Sequence, residues 1–213
     1  MKEVLVRYYI YSIDELSIKA REKAYAKWLE DYDYPWGKEN RDTLKAFEKL
    51  FPIKVLNWEY GMHENYITFE VIDDDIKNLS GVRLLKYLYN NYFSLLVKSK
   101  VYHHPKNPTK QRISKVFYYV DRNLTGYYLD YDILDPLYEF MKNPVNITFE
   151  ALMSRCLNSW VQACGLDYEY CISFKEFIEV SNANNWMYFE DGTKANFSKG
   201  TVVDELNSIP KGI

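Results

Sequence analysis

Three histidines, His63, His103 and His104, are the chain's whole supply of imidazole. His103 and His104 are adjacent, so on a strand they would point to opposite faces, which is poor geometry for one shared metal. His63 lies beside Glu64 in a predicted turn and reads as an exposed turn residue. The densest carboxylate group is Asp130, Asp132 and Asp135, in the run D-Y-D-I-L-D. Oxygen ligands of this kind hold divalent cations. Acids just before a helix also satisfy its free N–H groups and its dipole. Asp135 followed by Pro136 fits an N-cap with proline at the first helical position, so capping is the expected role. Asp73, Asp74 and Asp75 read as a solvated turn.

Cys156, Cys164 and Cys171 lack the close ligand pair of a zinc site, and their odd number does not suit a disulfide framework. With Phe149, Leu152, Trp160 and Ala163 they fall roughly on one helical stripe. Free cysteine packs as a small apolar residue, so the expectation is reduced, largely buried thiols. The G-x-S-x-G, G-x-x-x-x-G-K-[ST], G-x-G-x-x-G and H-E-x-x-H patterns do not occur. The chain is therefore expected to have no catalytic residues, no metal and no cofactor, and not to be an enzyme.

Charge is the informative pattern. The 45 residues from Ile76 to Val120 contain no Asp or Glu and nine basic residues. Outside them, 18 basic residues face 30 acidic ones, a division that the net charge of −3 conceals. A basic patch interleaved with Tyr87, Tyr89, Tyr92, Tyr102 and Tyr118 would suit a phosphate backbone and exposed bases. The acidic remainder would suit a basic protein partner. The alternative is a basic stretch neutralised by acids elsewhere in the fold. The partner-binding residues expected from this pattern are Lys98, Lys100, Tyr102, Lys106, Lys110, Arg112 and Lys115. Pro105 and Pro108 mark His103 to Arg112 as a surface loop, where binding residues tend to sit.

The elements that must carry these residues can be read in order. Val4 to Tyr11 has strand composition. Ser17 to Tyr32 is helical, with Ala20, Ala24, Trp28 and Tyr32 on one face. A second helix spans Glu39 to Phe51, before Pro52. Ile53 to Tyr60 and Tyr66 to Ile72 read as a hairpin with Gly61 in its turn. Ser80 to Val97 is helical, and Lys115 to Val120 reads as a strand. Helices then follow from Asp135 to Lys142, after Thr148, and from Phe174 to Asn185. Asp191-Gly192 marks a last hairpin. With 47% hydrophobic residues and no linker-like stretch, the 213 residues predict one α+β domain. Its antiparallel or mixed sheet would come from N- and C-terminal strands covered by several helices. No apolar run reaches the roughly 18 residues of a membrane span, and the N-terminus lacks a signal-peptide core, so a cytoplasmic protein is expected.

Ile10-Tyr-Ser-Ile-Asp-Glu-Leu-Ser17, followed by Lys19-Ala20 and Lys23-Ala24, resembles the opening of a family of hypothetical proteins from phages and mobile elements. In that family a strand runs into a Y-x-x-D-E-L-S turn and a K-A-x-x-K-A helix. Leu124-Thr-Gly-Tyr127, Asp130 to Asn143, Thr148-Phe-Glu150 and Phe189-Glu-Asp-Gly192 extend the similarity along most of the chain. These motifs are caps, helix faces and turns, and no catalytic residues come with them. Small accessory proteins of such elements often inhibit host defence, anti-CRISPR proteins among them. The resemblance therefore implies a non-enzymatic inhibitor that binds a host-defence nuclease or its nucleoprotein complex inside a bacterial cell. A nucleic-acid-binding accessory protein using residues 76–120 is the alternative.

Overall fold

The computed structural model describes residues 8–62, 64–104, 107–119 and 124–196, with main chain alone at 97–104, 108 and 110–119. The fold is α+β, as expected. Its described strands pair antiparallel in two-stranded sheets, one of which joins the N- and C-terminal parts of the chain. Contacts gather into two compact units, Met1–Tyr32 with Ile172–Ile213, and Asp33–Cys171.

The first unit opens on strand β1 (Tyr11–Ser12), a single 3-10 turn (Ile13–Glu15) and helix α1 (Ile18–Glu30). It closes on α7 (Phe174–Ala183) and β6 (Met187–Tyr188). The Y-x-x-D-E-L-S residues make the turn by local hydrogen bonding. Glu15 Oε2 accepts from the Ser12 amide at 2.8 Å, and Ser17 Oγ caps α1 by accepting from the Ala20 amide at 3.3 Å. Arg21 reaches back and donates to the Leu16 and Asp14 carbonyls at 3.0 and 2.6 Å. Tyr11 pairs with Tyr188 across β1 and β6. The core is Ile13, Leu16, Ala20, Ala24, Phe177 and Tyr188. The small Ala20 and Ala24 allow close approach: Gly192, in the turn after β6, sits against the Ala20 carbonyl with φ +86°.

The second unit holds α2 (Gly37–Leu50), the β2–β3 hairpin (Ile53–Glu59 and Tyr66–Val71), the short α3 (Asp74–Lys77) and α4 (Gly81–Leu96). Then come β4 (Val97–His104), β5 (Asn107–Tyr119), α5 (Leu129–Lys142) and α6 (Phe149–Cys171). Ile133, Leu134, Leu137, Phe140 and Met141 of α5 share the main core with Phe149, Leu152, Met153, Cys156, Leu157 and Trp160 of α6. Thr148 caps α6 as expected, its Oγ1 accepting from the Ala151 amide at 3.1 Å.

Helix α5 begins six residues before the expected Asp135–Pro136 start, and Pro136 lies inside it. An interior proline costs about 3 kcal/mol. Burying each large apolar side chain returns roughly 1.5–3 kcal/mol, so the stripe from Leu129 to Met141 outweighs the lost bond. Cys156 and Cys164 are buried, whereas Cys171, at the last position of α6, is half-exposed. No helix among the described residues is long and apolar enough to cross a membrane.

Candidate binding surfaces

The basic run is organised as a second hairpin, not as the expected loop. His103 and His104 end β4, and Asn107 to Arg112 belong to β5. Proline fixes φ near a strand-compatible value and lacks only a donor, so it is tolerated at the start of a strand, where Pro108 lies. Asn107 Oδ1 shapes that start by accepting from the Thr109 amide and hydroxyl at 3.3 and 2.6 Å.

Lys98, Lys100 and Tyr102 lie on β4, and Lys110, Arg112 and Lys115 on β5. Tyr102 pairs directly with Arg112, and Lys98 with Tyr118. The ladder is irregular between Ser99 and Val101 and between His103 and His104. Lys106 falls outside the described residues. Six of the seven expected binding residues are thus brought onto one two-stranded ribbon. The expected aromatic partners divide differently. Tyr92 is in the core, and its hydroxyl lies 3.1 Å from that of Tyr87, while Tyr89 stacks on Phe93. A helix face built on Leu84, Leu88, Tyr92 and Leu96 takes these rings for packing. In the same stretch, Lys77 pairs with Glu150 at 3.2 Å, and exposed Arg83 and Lys86 make no ion pair among the described residues.

Both ends of the ribbon lead to contacts with α5. The Tyr138 hydroxyl donates to the Leu96 carbonyl at 3.1 Å, where α4 passes into β4. On the other side, residues 124–126 are held by Asp130, which is fully buried. Its Oδ2 accepts from the Leu124, Thr125 and Gly126 amides at 3.0, 2.8 and 2.9 Å. Its Oδ1 accepts from the Thr125 and Thr43 hydroxyls at 2.8 and 3.2 Å. Five donors on one carboxylate make Asp130 a clamp between the 124–127 loop, α5 and α2.

Asp132, two residues along in the same sequence cluster, has a buried Oδ2 without a hydrogen-bond partner. Burial, with Asp135 adding repulsion, raises its carboxyl above the ordinary range. No group of three or more His, Cys, Asp or Glu that could hold a metal occurs among the described residues. Burial also pushes the Cys156 and Cys164 thiols well above their ordinary value, which disfavours thiolate chemistry at both.

A polar network that the sequence did not reveal lies between α2 and α6. Asn40 Nδ2 donates to the Tyr34 and Tyr60 hydroxyls at 3.2 and 3.3 Å, and the Tyr34 hydroxyl donates to Asp167 Oδ2. Burial first, and the Asp167 carboxylate second, push the Tyr34 hydroxyl far above its usual value, so it remains a donor. Asp167 is 133 residues from Tyr34, and no local signal in the sequence links them. Compared with protein-family models, curated proteins and solved structures, the chain matches none.

Proposed function

We propose that this protein is a non-enzymatic accessory protein of a phage or mobile element that inhibits a host-defence nuclease by binding its nucleoprotein complex, with the β4–β5 ribbon as the contact surface. One observation carries the reading: β4 and β5 pair with each other, and the sequence from 97 to 119 has six basic residues and no acid. Such a ribbon attracts a polyanion through a term that needs no recognition motif. The defence setting comes from the resemblance of the Tyr11–Ser17 turn and the helix after it.

The test is capture of partners from a bacterial lysate by the immobilised protein and by a variant with Lys106, Lys110 and Arg112 replaced by Glu. A nuclease complex held by the parent and lost by the variant is the expected result. A nuclease held equally by both would remove the hairpin from the interface, and retention of no nuclease would defeat the reading.

The second reading is a nucleic-acid-binding accessory protein, favoured by the ribbon form itself. A two-stranded antiparallel ribbon fits the major groove of a duplex. In that case capture by the parent should disappear after nuclease treatment of the lysate.

A further inference from the structure

At the N-terminal end of α2 a pocket of about 340 Å³ opens between Trp36, Glu39 and Asn40 on one side and Tyr127 and Tyr128 on the other, with Asp167 of α6 in its wall. That volume is within the range of sites for small ligands. Trp36 and Tyr128 are 45% and 73% exposed, so two large rings are kept at the surface. Glu39 and Asp167 add two carboxylates to the lining. The adjacent Lys38 does not leave an unmatched positive charge there, because Asp42 pairs with it at 2.6 Å.

The floor is held in place from beneath. Asn40 is only 4% exposed. Its amide nitrogen donates to Tyr34 and Tyr60, and its amide oxygen accepts no hydrogen bond among the described residues. Tyr34 in turn holds Asp167 by one carboxylate oxygen, and Oδ1 of that carboxylate accepts none among the described residues. The pocket therefore presents aromatic faces together with acceptors on two helices, and its charged side chains are acids. An anion would be repelled. A neutral ring would bury the carboxylates without satisfying them.

We propose that this pocket receives a guanidinium group, the side chain of an arginine presented by a partner protein. A planar guanidinium stacks on aromatic faces and offers N–H donors in a fork that matches carboxylate and amide oxygens. A lysine ammonium stacks less well and is more strongly hydrated. The site is lined by residues at the N-terminal end of α2, on α6 and at positions 127–129, outside the β4–β5 ribbon, and it differs from the ribbon in charge, so it does not depend on what the ribbon binds.

The test is a titration of the full chain, followed by amide and indole resonances, with four probes: N-acetyl-arginine methylamide, its citrulline isostere, its lysine counterpart and free arginine. The expected result is saturable shifts of the Trp36 indole and the Tyr127 and Tyr128 amides, with half-saturation on the order of 1–10 mM for the capped arginine. The neutral citrulline probe should bind roughly tenfold more weakly, and the lysine probe more weakly than arginine. Trp36→Ala and Glu39→Gln should each lower arginine affinity by roughly threefold or more, with the rest of the spectrum unchanged. Equal binding of citrulline or lysine, no saturation, indifference to both substitutions, or binding of free arginine without the capped form would each overturn the proposal.

Discussion

Replacing Asp130 with Ala tests the view that one carboxylate secures the loop after the β4–β5 ribbon. The substitution removes the acceptor of three backbone amides and two hydroxyls. A buried donor left without a partner costs about 1–3 kcal/mol. Leu124 and Thr125 are half-buried and Gly126 is exposed, so water can reach part of the vacated site. The low end, about 1 kcal/mol for each amide, is the suitable value, and the total is about 3 kcal/mol. That is a large share of the roughly 5–15 kcal/mol by which domains are stable. In urea, with a slope of about 2 kcal/mol/M, the midpoint should fall by about 1.5 M. Asp130→Asn keeps one oxygen and should lose less. Amide exchange gives a local reading: the Leu124, Thr125 and Gly126 amides should exchange about a hundredfold faster in the alanine variant, since 1.4 kcal/mol corresponds to tenfold. A loss below about 0.5 kcal/mol, the value of an ordinary surface substitution, would refute the clamp.

Gly192→Ala should destabilise the unit of α1 and α7 by about 2–4 kcal/mol, because it adds left-handed backbone strain to a collision with the Ala20 carbonyl; a melting temperature within error of the parent would contradict this. Thiol labelling of the native protein should modify half-exposed Cys171 first and leave buried Cys156 and Cys164 until unfolding; rapid labelling of all three would show that the α5–α6 core is not closed. Asp132→Asn should raise the urea midpoint at pH 7 and lose that advantage in acid. The folded carboxyl has a raised pKa, so the parent's stability from Asp132 is present when it is protonated and is lost as pH rises through that value. A variant advantage that grows toward low pH would reverse the assignment.

The pattern of the chain made some elements plain and hid others for identifiable reasons. Helix α1 followed from Ala20, Ala24 and Trp28, and α6 from the stripe through Phe149, Cys156 and Trp160, because a buried helix face writes its period into the sequence. The Asp191-Gly192 turn was legible because glycine is suited to the positive φ found there. Helix α5 was begun too late because Asp135–Pro136 has the local chemistry of a helix start, and only burial against α6 decides otherwise. The β4–β5 ribbon was read as the end of a helix, a loop and a short strand. Its pairing of Val97 with Tyr119 is a long-range register, while prolines and lysines give only local signals. Asp130 was assigned to capping, yet its partners include Thr43, 87 residues away. The charge asymmetry of residues 76–120 was visible at once, and the gathering of Lys98, Lys100, Lys110, Arg112 and Lys115 onto one ribbon was not.

The most direct measurement of the central claim is the salt dependence of binding to a labelled oligonucleotide, followed by fluorescence anisotropy. The ribbon account predicts affinity that falls linearly with the logarithm of salt concentration, losing about 0.7–0.9 in slope for each phosphate neutralised. Replacing Lys106, Lys110 and Arg112 with Glu should flatten that slope by roughly 2–3 and change stability by less than about 0.5 kcal/mol each. Absence of binding at low salt, or the same slope in the folded triple variant as in the parent, would contradict the assignment of the β4–β5 ribbon as the anion-binding surface.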